Sequence, residues 1–342
     1  MGFEFIREVP KPKEIISSLP LTKDLAEVKK ARDREIRKIF TRESDRFLLV
    51  IGPCSAHDED AVCDYIARLA ALQEEVKDRI LIVPRIYTNK PRTTGIGYKG
   101  MAHQPKLKEE PNIVEGIKAI RRMHLRALKE SHLPAAEEML YPDNYAYLED
   151  VLSYVAVGAR SVENQQHRLS ASGFDIPVGM KNPTSGDIDV MLNSIQAAQA
   201  PHILTYNRWE VKTKGNPLTH AVLRGSVNQA GVSIPNYHYE DLIRIAEAYK
   251  KRDLANPAII IDTNHNNSNK QYADQPRIAL EVMHSRKHSK LLREMIRGFM
   301  IESFIEEGSQ KVTENVYGKS VTDPCLGWKD SEKLVRKLAE MV

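Results

Sequence analysis

Basic residues stand at the ends of several short apolar runs in this 342-residue sequence. The set consists of Arg85, Lys90, Arg92, Arg160, Lys181 and Arg224. One arginine in such a position is most often part of a surface ion pair. Several guanidinium and ammonium groups gathered in one place instead match phosphate and carboxylate groups. If the fold brings these side chains together, they predict anionic substrates.

A second set of residues near the ends of apolar runs offers metal-binding donors. It consists of Cys54, His265, Glu302 and Asp323. A thiolate, an imidazole and two carboxylates can share a divalent ion such as Mn²⁺, Fe²⁺, Co²⁺ or Zn²⁺. Taken singly, Cys54 also fits a small buried residue and His265 a core histidine. The prediction of a metal site therefore depends on the fold bringing all four together.

The elements that must position both sets follow an alternating pattern. Short apolar runs alternate with amphipathic helical segments from residue 48 onward, as in βαβ units around a parallel sheet. The runs are 48–52, 80–85, 132–137, 155–160, 178–181, 220–224, 258–262 and 298–302. Their number predicts a (β/α)8 TIM barrel, in which residues that follow the strands converge on one face. The helical segments include 60–72, 113–129, 188–200, 239–250 and 287–297.

Two segments lie outside a minimal barrel. Residues 1–46 form an N-terminal extension with a helical stretch near 25–40. Residues 205–219 have a polar middle with Gly, Asn and Pro, which predicts an inserted β-hairpin. We therefore expect one catalytic barrel over 47–342. The extension and the hairpin serve either oligomer contacts and regulation or extra packing.

Composition narrows the class of protein. A hydrophobic fraction of 42% supports one large core, and a net charge of +4 is too small to indicate a nucleic-acid partner. The scattered cysteines Cys54, Cys63 and Cys325 are typical of a reducing compartment. No apolar stretch has the length of a signal core or a membrane helix. A cytoplasmic protein without a membrane partner is expected.

A set of short motifs, in this order, carries a family resemblance. The motifs are IGPCSAHD (51–58), KPRTT (90–94), GARSVE (158–163), GMKN (179–182), LRG (223–225) and YGKSVTD (317–323). Together they resemble 3-deoxy-D-arabino-heptulosonate 7-phosphate (DAHP) synthase of the type I alpha group, over nearly the whole chain. The resemblance implies condensation of phosphoenolpyruvate with erythrose 4-phosphate and water, with release of phosphate.

The resemblance also implies a role for the residues of both sets. The metal ligands would be Cys54, His265, Glu302 and Asp323. Phosphoenolpyruvate would be bound by Arg85 and Lys181 at its carboxylate and by Arg160 and Arg224 at its phosphate. Erythrose 4-phosphate would be bound by Lys90, Arg92, Thr93 and Asp323.

Catalytic roles are implied for Lys90, Lys181, Glu138 and His265. In the family a lysine at the position of Lys90 lies close to the reacting atoms, and an acidic residue at that of Glu138 lies near the attacking water. Glu137 directly precedes Glu138. At the level of sequence, the acidic residue is therefore one of two neighbours.

Regulation is the least determined property. Tyr145 and Asp175 stand where many feedback-inhibited members of the family carry proline and serine around an aromatic amino-acid pocket. We expect an allosteric site for Phe or Tyr and a homo-dimer or homo-tetramer. Three alternatives stay open: a related synthase that accepts arabinose 5-phosphate, a Schiff-base aldolase that uses Lys181, and a catalytically silent regulatory barrel. The 90–94 loop and the metal set argue against them.

Overall fold

A ring of parallel strands lies at the centre of the computed structural model, which describes residues 2–92 and 94–342. In chain order the strands are β1 (Phe47–Gly52), β2 (Ile80–Pro84), β3 (Ala136–Glu138), β4 (Tyr154–Val157), β5 (Val178–Lys181), β6 (Ile203–Tyr206), β7 (Trp209–Lys212), β8 (His220–Leu223), β9 (Ser226–Val227), β10 (Ser233–Ile234), β11 (Ile259–Asp262) and β12 (Ile296–Glu302). Eight of them form one sheet in the order β2-β1-β12-β11-β8-β5-β4-β3. A parallel bridge between Arg85 and Ala136 joins the end of β2 to β3. The predicted (β/α)8 barrel is confirmed.

Helices surround this barrel, and most of them connect successive strands. They are α1 (Pro12–Ser18), α2 (Lys23–Phe40), α3 (Glu59–Val76), α4 (Ile113–Ser131), α5 (Pro142–Tyr145), α6 (Gln165–Ala171), α7 (Ile188–Gln199), α8 (Tyr239–Lys250), α9 (Gln275–His288), α10 (Lys290–Met295) and α11 (Trp328–Met341). Side chains of Asp58 and Asn112 cap α3 and α4. Among the described residues, no helix is both long and apolar enough to cross a membrane.

The segment 287–297 is not the single helix that its pattern predicts. α9 ends at His288, α10 ends at Met295, and Arg297 already belongs to β12. Ser289 causes the break, because its backbone is extended (φ −123°, ψ 121°) and its Oγ accepts the Leu292 N–H at 3.3 Å. An extended N-cap residue ends one helix and begins the next.

Strand residues alternate between two buried layers. In β1, Leu48 and Val50 pack with Met300 in the barrel interior, whereas Leu49 and Ile51 pack in the larger cluster that includes the helices. This alternation follows from the two-residue period of a strand. It leaves the strand ends free to carry polar side chains.

Helix α2 closes the barrel base, the end at which the strands begin. Its residues Ile36, Ile39 and Phe40 are fully buried in the same cluster as the barrel interior. The Phe40 ring packs at a tilt against His220, the first residue of β8, with ring centroids 4.3 Å apart. The N-terminal extension therefore completes the barrel core.

The inserted hairpin is shorter and lies earlier than the predicted 205–219. β6 pairs with β7 over 203–212, and Asn207 and Arg208 form the turn with φ of 46° and 68°. Two consecutive left-handed residues are typical of the type I′ turn that matches strand twist. The Gly-Asn-Pro stretch follows the hairpin instead, and the Asn216 side chain donates to the Ile176 carbonyl at 2.9 Å.

Candidate active site

A cavity of about 250 Å³ opens at the barrel mouth, the end at which the strands finish. Its lining includes Cys54, Arg85, Lys90, Arg92, Glu138, Arg160, Lys181, Arg224, His265 and Asp323. Glu302 ends β12 and is completely buried beside this lining. Thr93 lies outside the described residues. The other predicted site residues therefore converge at one mouth.

Three of the four predicted metal ligands form a compact group. Donor atoms of Cys54, Glu302 and Asp323 all lie within 4.8 Å of one another. His265 stands just outside this group, with Nε2 3.8 Å from a Glu302 oxygen. Burial would raise the pKa of Glu302, but the charges of Arg85 and His265 hold it below the usual value. A thiol, an imidazole and two carboxylates at these distances fit a divalent transition ion.

Arg85 links this group to the cavity. Its Nη2 donates to Glu302 at 2.6 Å and its Nε donates to the Pro53 carbonyl at 3.2 Å. Its Nη1 has no acceptor among the residues described. A Cβ at Gly52 would lie 2.5 Å from the Arg85 carbonyl oxygen, so this close approach requires the glycine of the first motif. Arg85 thus keeps one donor for an anionic ligand.

Asp262, which the sequence motifs did not single out, lies between two of the predicted catalytic residues. Its Oδ2 lies 3.2 Å from Lys181 Nζ and 2.8 Å from His265 Nδ1. Burial alone would raise the pKa of Asp262, but His265 and Lys181 hold it well below the usual range. The ionised carboxylate accepts a hydrogen bond from Lys181 and lies beside the His265 ring. The sequence does hold one indication of its role, because Asp262 is the single charged residue of the run Ile259–Asp262 and ends it.

Arg160 and Arg224 add positive charge to a further part of the cavity lining. Arg224 is largely buried and donates from Nη1 to Asn266 Oδ1 at 2.5 Å, while Arg160 is exposed. Burial lowers the pKa of Arg224, and Arg160 lowers it further against the opposing charge of Asp262. Neither arginine has an ion-pair partner within the described part of the chain. Asn266 was not predicted as a site residue, because it is one of several asparagines in its loop.

The loop after β2 carries the remaining cations. Lys90 is buried, and its Nζ lies 3.3 Å from Cys54 Sγ and 5.7 Å from the centre of the Tyr87 ring. Arg92 donates from Nε to the Tyr98 carbonyl at 2.8 Å. The Lys90 N–H donates to the Lys99 carbonyl at 3.0 Å. Backbone contacts therefore hold the loop over the cavity.

The two neighbouring glutamates point in different directions. Glu138 lines the cavity. Glu137 is buried, accepts the Thr88 N–H at 2.9 Å and the Thr88 hydroxyl, and lies 3.7 Å from His124. Glu137 therefore anchors the loop two residues before Lys90, and Glu138 is the residue that can meet a substrate.

Replacing Glu137 by alanine is expected to lower kcat by about 10- to 100-fold, because the loop that carries Lys90 loses its anchor. Glu137→Gln retains an acceptor oxygen and should lose less. Steady-state kinetics, with circular dichroism to verify folding, measure the effect. A kcat of Glu137→Ala within twofold of the wild-type value would contradict the anchoring role.

Comparisons with known proteins agree with this geometry. The model of the DAHP synthetase I family matches residues 23–336. The Phe-sensitive phospho-2-dehydro-3-deoxyheptonate aldolase of Escherichia coli (strain K12) is 39% identical over 98% of this chain and 95% of the relative. A Trp-sensitive enzyme of that name from Enterobacter agglomerans is 39% identical over 97% of this chain and 94% of its own.

A solved structure of phospho-2-dehydro-3-deoxyheptonate aldolase from Francisella tularensis SCHU S4 has the same fold. Its TM-score is 0.92 at 33% identity, and the match covers all of this chain and 98% of that structure. The family model and the relatives both span most of the chain, including the barrel mouth and its cavity. The chain belongs to the DAHP synthetase I family.

Proposed function

We propose that the chain is a phospho-2-dehydro-3-deoxyheptonate aldolase, that is, a DAHP synthase. It condenses phosphoenolpyruvate, erythrose 4-phosphate and water to DAHP and phosphate. The observation that carries this proposal is a single cavity in which separate groups of cations surround metal-binding donors. Family membership and the names of the relatives support the same reaction.

Phosphoenolpyruvate fits the cations on the inner side of the cavity. Arg85 and Lys181 are held by buried carboxylates and bind the substrate carboxylate, for which Arg85 Nη1 is the available donor. Arg160 and Arg224 bind the phosphate, since a dianion relieves the repulsion between them. Removal of either arginine weakens the binding of phosphoenolpyruvate and also the binding of the phosphate that is released from it.

Erythrose 4-phosphate takes the side of the cavity under the 90–94 loop. Arg92 and Thr93 bind its phosphate, and the assignment of Thr93 depends on the family resemblance alone. Lys90 and Asp323 flank its aldehyde end, and both line the cavity near Cys54. This arrangement brings the aldehyde carbon towards carbon three of phosphoenolpyruvate.

A divalent metal ion fits the donors of Cys54, His265, Glu302 and Asp323, and Mn²⁺, Fe²⁺, Co²⁺ and Zn²⁺ are the candidates. When bound, such an ion polarises a carbonyl oxygen as a Lewis acid. Asp262 Oδ2 lies 2.8 Å from Nδ1 of the His265 ring, and Nε2 of the same ring lies 3.8 Å from a Glu302 oxygen.

The residues of the chain then manage charge and protons. Carbon three of phosphoenolpyruvate forms a bond to the aldehyde carbon, and the Lys90 ammonium donates a proton to the resulting alkoxide. Water adds at carbon two, and Glu138 accepts its proton. The tetrahedral product loses phosphate to give the keto group of DAHP.

Phosphate release measured with matched sugars tests the reaction. We expect release with phosphoenolpyruvate and erythrose 4-phosphate, and much slower release with arabinose 5-phosphate. Faster release with arabinose 5-phosphate would favour the related synthase. Binding of both substrates without release would favour a silent barrel, and either result would overturn the proposal. Borohydride trapping of an adduct on Lys181 would favour the Schiff-base route.

An aromatic amino acid is the proposed effector. A cavity of about 320 Å³ lies between α6, β6 and β7, and its lining includes Tyr145, Phe174, Asp175, Lys212 and Lys214. The ring of Tyr145 stacks on Phe174 with centroids 3.7 Å apart. Aromatic walls beside the carboxylates of Glu149 and Asp175 and two ammonium groups suit a zwitterionic aromatic amino acid such as Phe or Tyr. The Phe- and Trp-sensitive relatives support this class of effector.

Millimolar Phe or Tyr is expected to slow phosphate release severalfold. Asp175→Arg should abolish that inhibition without changing basal turnover, because the amino group of the effector then meets a cation. Glu210→Arg is the matched control, since Glu210 is an exposed residue of β7 outside this cavity. A rate unaffected by Phe, Tyr and Trp alike would reject the effector site.

A homo-dimer or homo-tetramer in the cytoplasm is the proposed state of the protein. The extension exposes Phe3, Phe5 and Ile6, and the hairpin exposes Ile203 and Trp209. Such apolar side chains at two additions to the barrel are typical of subunit contacts. We therefore assign residues 1–46 and the hairpin to oligomer contacts and regulation, and residues 47–342 to the catalytic barrel. Light scattering measures the assembly.

A further inference from the structure

Two arginines at the barrel base are buried without an ion pair. Arg297 is the second residue of β12, and Arg286 lies in the last turn of α9. Only 7% of Arg297 and 8% of Arg286 is exposed. The Arg286 guanidinium lies 4.7 Å from the centre of the ring of Phe47, the first residue of β1. Both side chains therefore lie at the end of the barrel opposite the active-site cavity.

The protein supplies little to neutralise these two guanidinium groups. The Nε atoms of Arg286 and Arg297 are sealed from solvent and have no acceptor among the described residues. The polar contact of Arg286 is a weak one, from Nη1 to the Met283 sulfur at 3.5 Å. Within the described part of the chain, neither side chain pairs with a carboxylate. Buried polar and charged groups are normally satisfied, so this pair is exceptional.

Further arginines increase the positive charge. Burial, Arg297 and Arg293 together lower the pKa of Arg286 to about 10. Burial and Arg42 lower the pKa of Arg297, and the charges of Asp45 and Glu294 oppose this shift without forming a contact. Arg42 and Arg293 are themselves exposed. The charges of Arg42, Arg286, Arg293 and Arg297 therefore act on one another at the edge of the base.

We propose that this base arginine cluster, formed by Arg42, Arg286, Arg293 and Arg297, is a binding site for a phosphate group. A phosphate dianion supplies the charge and the several acceptor oxygens that paired guanidinium forks match. The source is either inorganic phosphate or the phosphate of a small phosphorylated metabolite. Because the cluster lies at the opposite end from the cavity, its ligand does not compete with the substrates.

The site has an unusual consequence for stability. Without an anion, two buried like charges repel each other, so replacing one of them by an apolar side chain of similar length should not harm the fold. With a phosphate bound, the same replacement removes one of the two buried guanidinium groups that contact the phosphate. The effect of the substitution on the melting temperature therefore changes sign between phosphate-free and phosphate-containing buffer.

Thermal unfolding of the full chain tests the proposal. Wild type, Arg286→Met and Arg297→Met are melted in sodium chloride and in inorganic phosphate or glycerol phosphate at equal ionic strength. Arg244→Met, at an exposed position of α8, is the matched control. We expect phosphate to raise Tm of the wild type and the control by several degrees, and of the two variants by less than half as much. Phosphate bound at the mouth contributes equally to all four proteins and cancels.

The two ligands separate the possible sources. A larger shift with inorganic phosphate assigns the site to the free ion, and an equal or larger shift with glycerol phosphate assigns it to a phosphorylated metabolite. Equal shifts in the wild type and both variants would overturn the proposal, as would variants that melt well below the wild type in chloride. Equilibrium dialysis with radiolabelled phosphate gives an independent count, in which Arg297→Met should lose one site per chain.

Discussion

We expect prolonged dialysis against EDTA to abolish phosphate release and added Mn²⁺ to restore it. The donors of Cys54, Glu302 and Asp323 converge within 4.8 Å. His265 follows β11 and stands just outside this group, with Nε2 3.8 Å from a Glu302 oxygen. A bound divalent ion contributes several kcal/mol of stabilisation to developing negative charge. Its loss should therefore lower the rate by about 1,000-fold.

A cysteine pair provides the control for this experiment. Cys54→Ala should lose about 100-fold or more of kcat in the presence of metal, because one ligand is missing. Cys63→Ala changes an equally buried thiol in α3, away from the cavity, and should leave kcat within twofold. Full activity after prolonged EDTA treatment, with the metal content verified as zero, would contradict the metal-dependent reading.

The second large effect is expected from Lys90. Lys90→Met keeps the length of the side chain but removes the ammonium group that lies 3.3 Å from Cys54 Sγ. Because that group is the proposed proton donor to the alkoxide, kcat should fall by about 1,000-fold. The KM for erythrose 4-phosphate should rise less than kcat falls. Steady-state kinetics with both substrates measure the two effects separately.

Lys99→Met is the matched variant, since Lys99 is an exposed lysine of the same loop whose backbone, rather than side chain, contacts Lys90. It should retain nearly full activity. Lys90→Arg keeps the charge but moves it, and an intermediate rate is expected. A Lys90→Met variant within fivefold of the wild-type kcat would exclude Lys90 from proton transfer.

The barrel itself was predictable, because its strands are short apolar runs whose burial depends on local composition. The run 48–52 matches β1 closely. Strand ends were less predictable. β4 ends at Val157, so Arg160 lies in the following turn, and β3 begins at Ala136 well inside the run 132–137. Ring closure decides which residues pair, and that pairing is not a property of one segment.

Local exceptions account for the wrong boundaries. Asparagine often adopts the left-handed conformation but arginine rarely does, so the composition indicated only the first of the two turn residues, Asn207 and Arg208. Likewise, Ser289 interrupts a helical pattern that looks continuous through 287–297. The pairing of β6 with β7 selects the turn conformation, and the N-cap hydrogen bond of Ser289 selects the helix break. The intrinsic preference of the residues leaves both conformations open.

The sequence predicted which residues belong to the candidate site, but it did not predict how their side chains contact one another. The two residue sets and the family motifs named most of the side chains that line the cavity, but not Thr184, Val227, Asn266 or Lys270. They did not indicate that Asp262 joins Lys181 to His265, since Lys181 and Asp262 are 81 positions apart. Nor did they indicate that Glu137 turns to Thr88 while Glu138 turns to the cavity. Such contacts arise only when distant strands meet.

The closure of the barrel base by α2 limits how this chain can change over evolutionary time. Because Ile36, Ile39 and Phe40 fill the interior between the strands, a lineage that loses or exchanges the segment before β1 also loses part of the hydrophobic core. The extension that is expected to carry regulation is thus inherited together with catalysis. New modes of control are more easily acquired by substitutions within the extension than by its replacement.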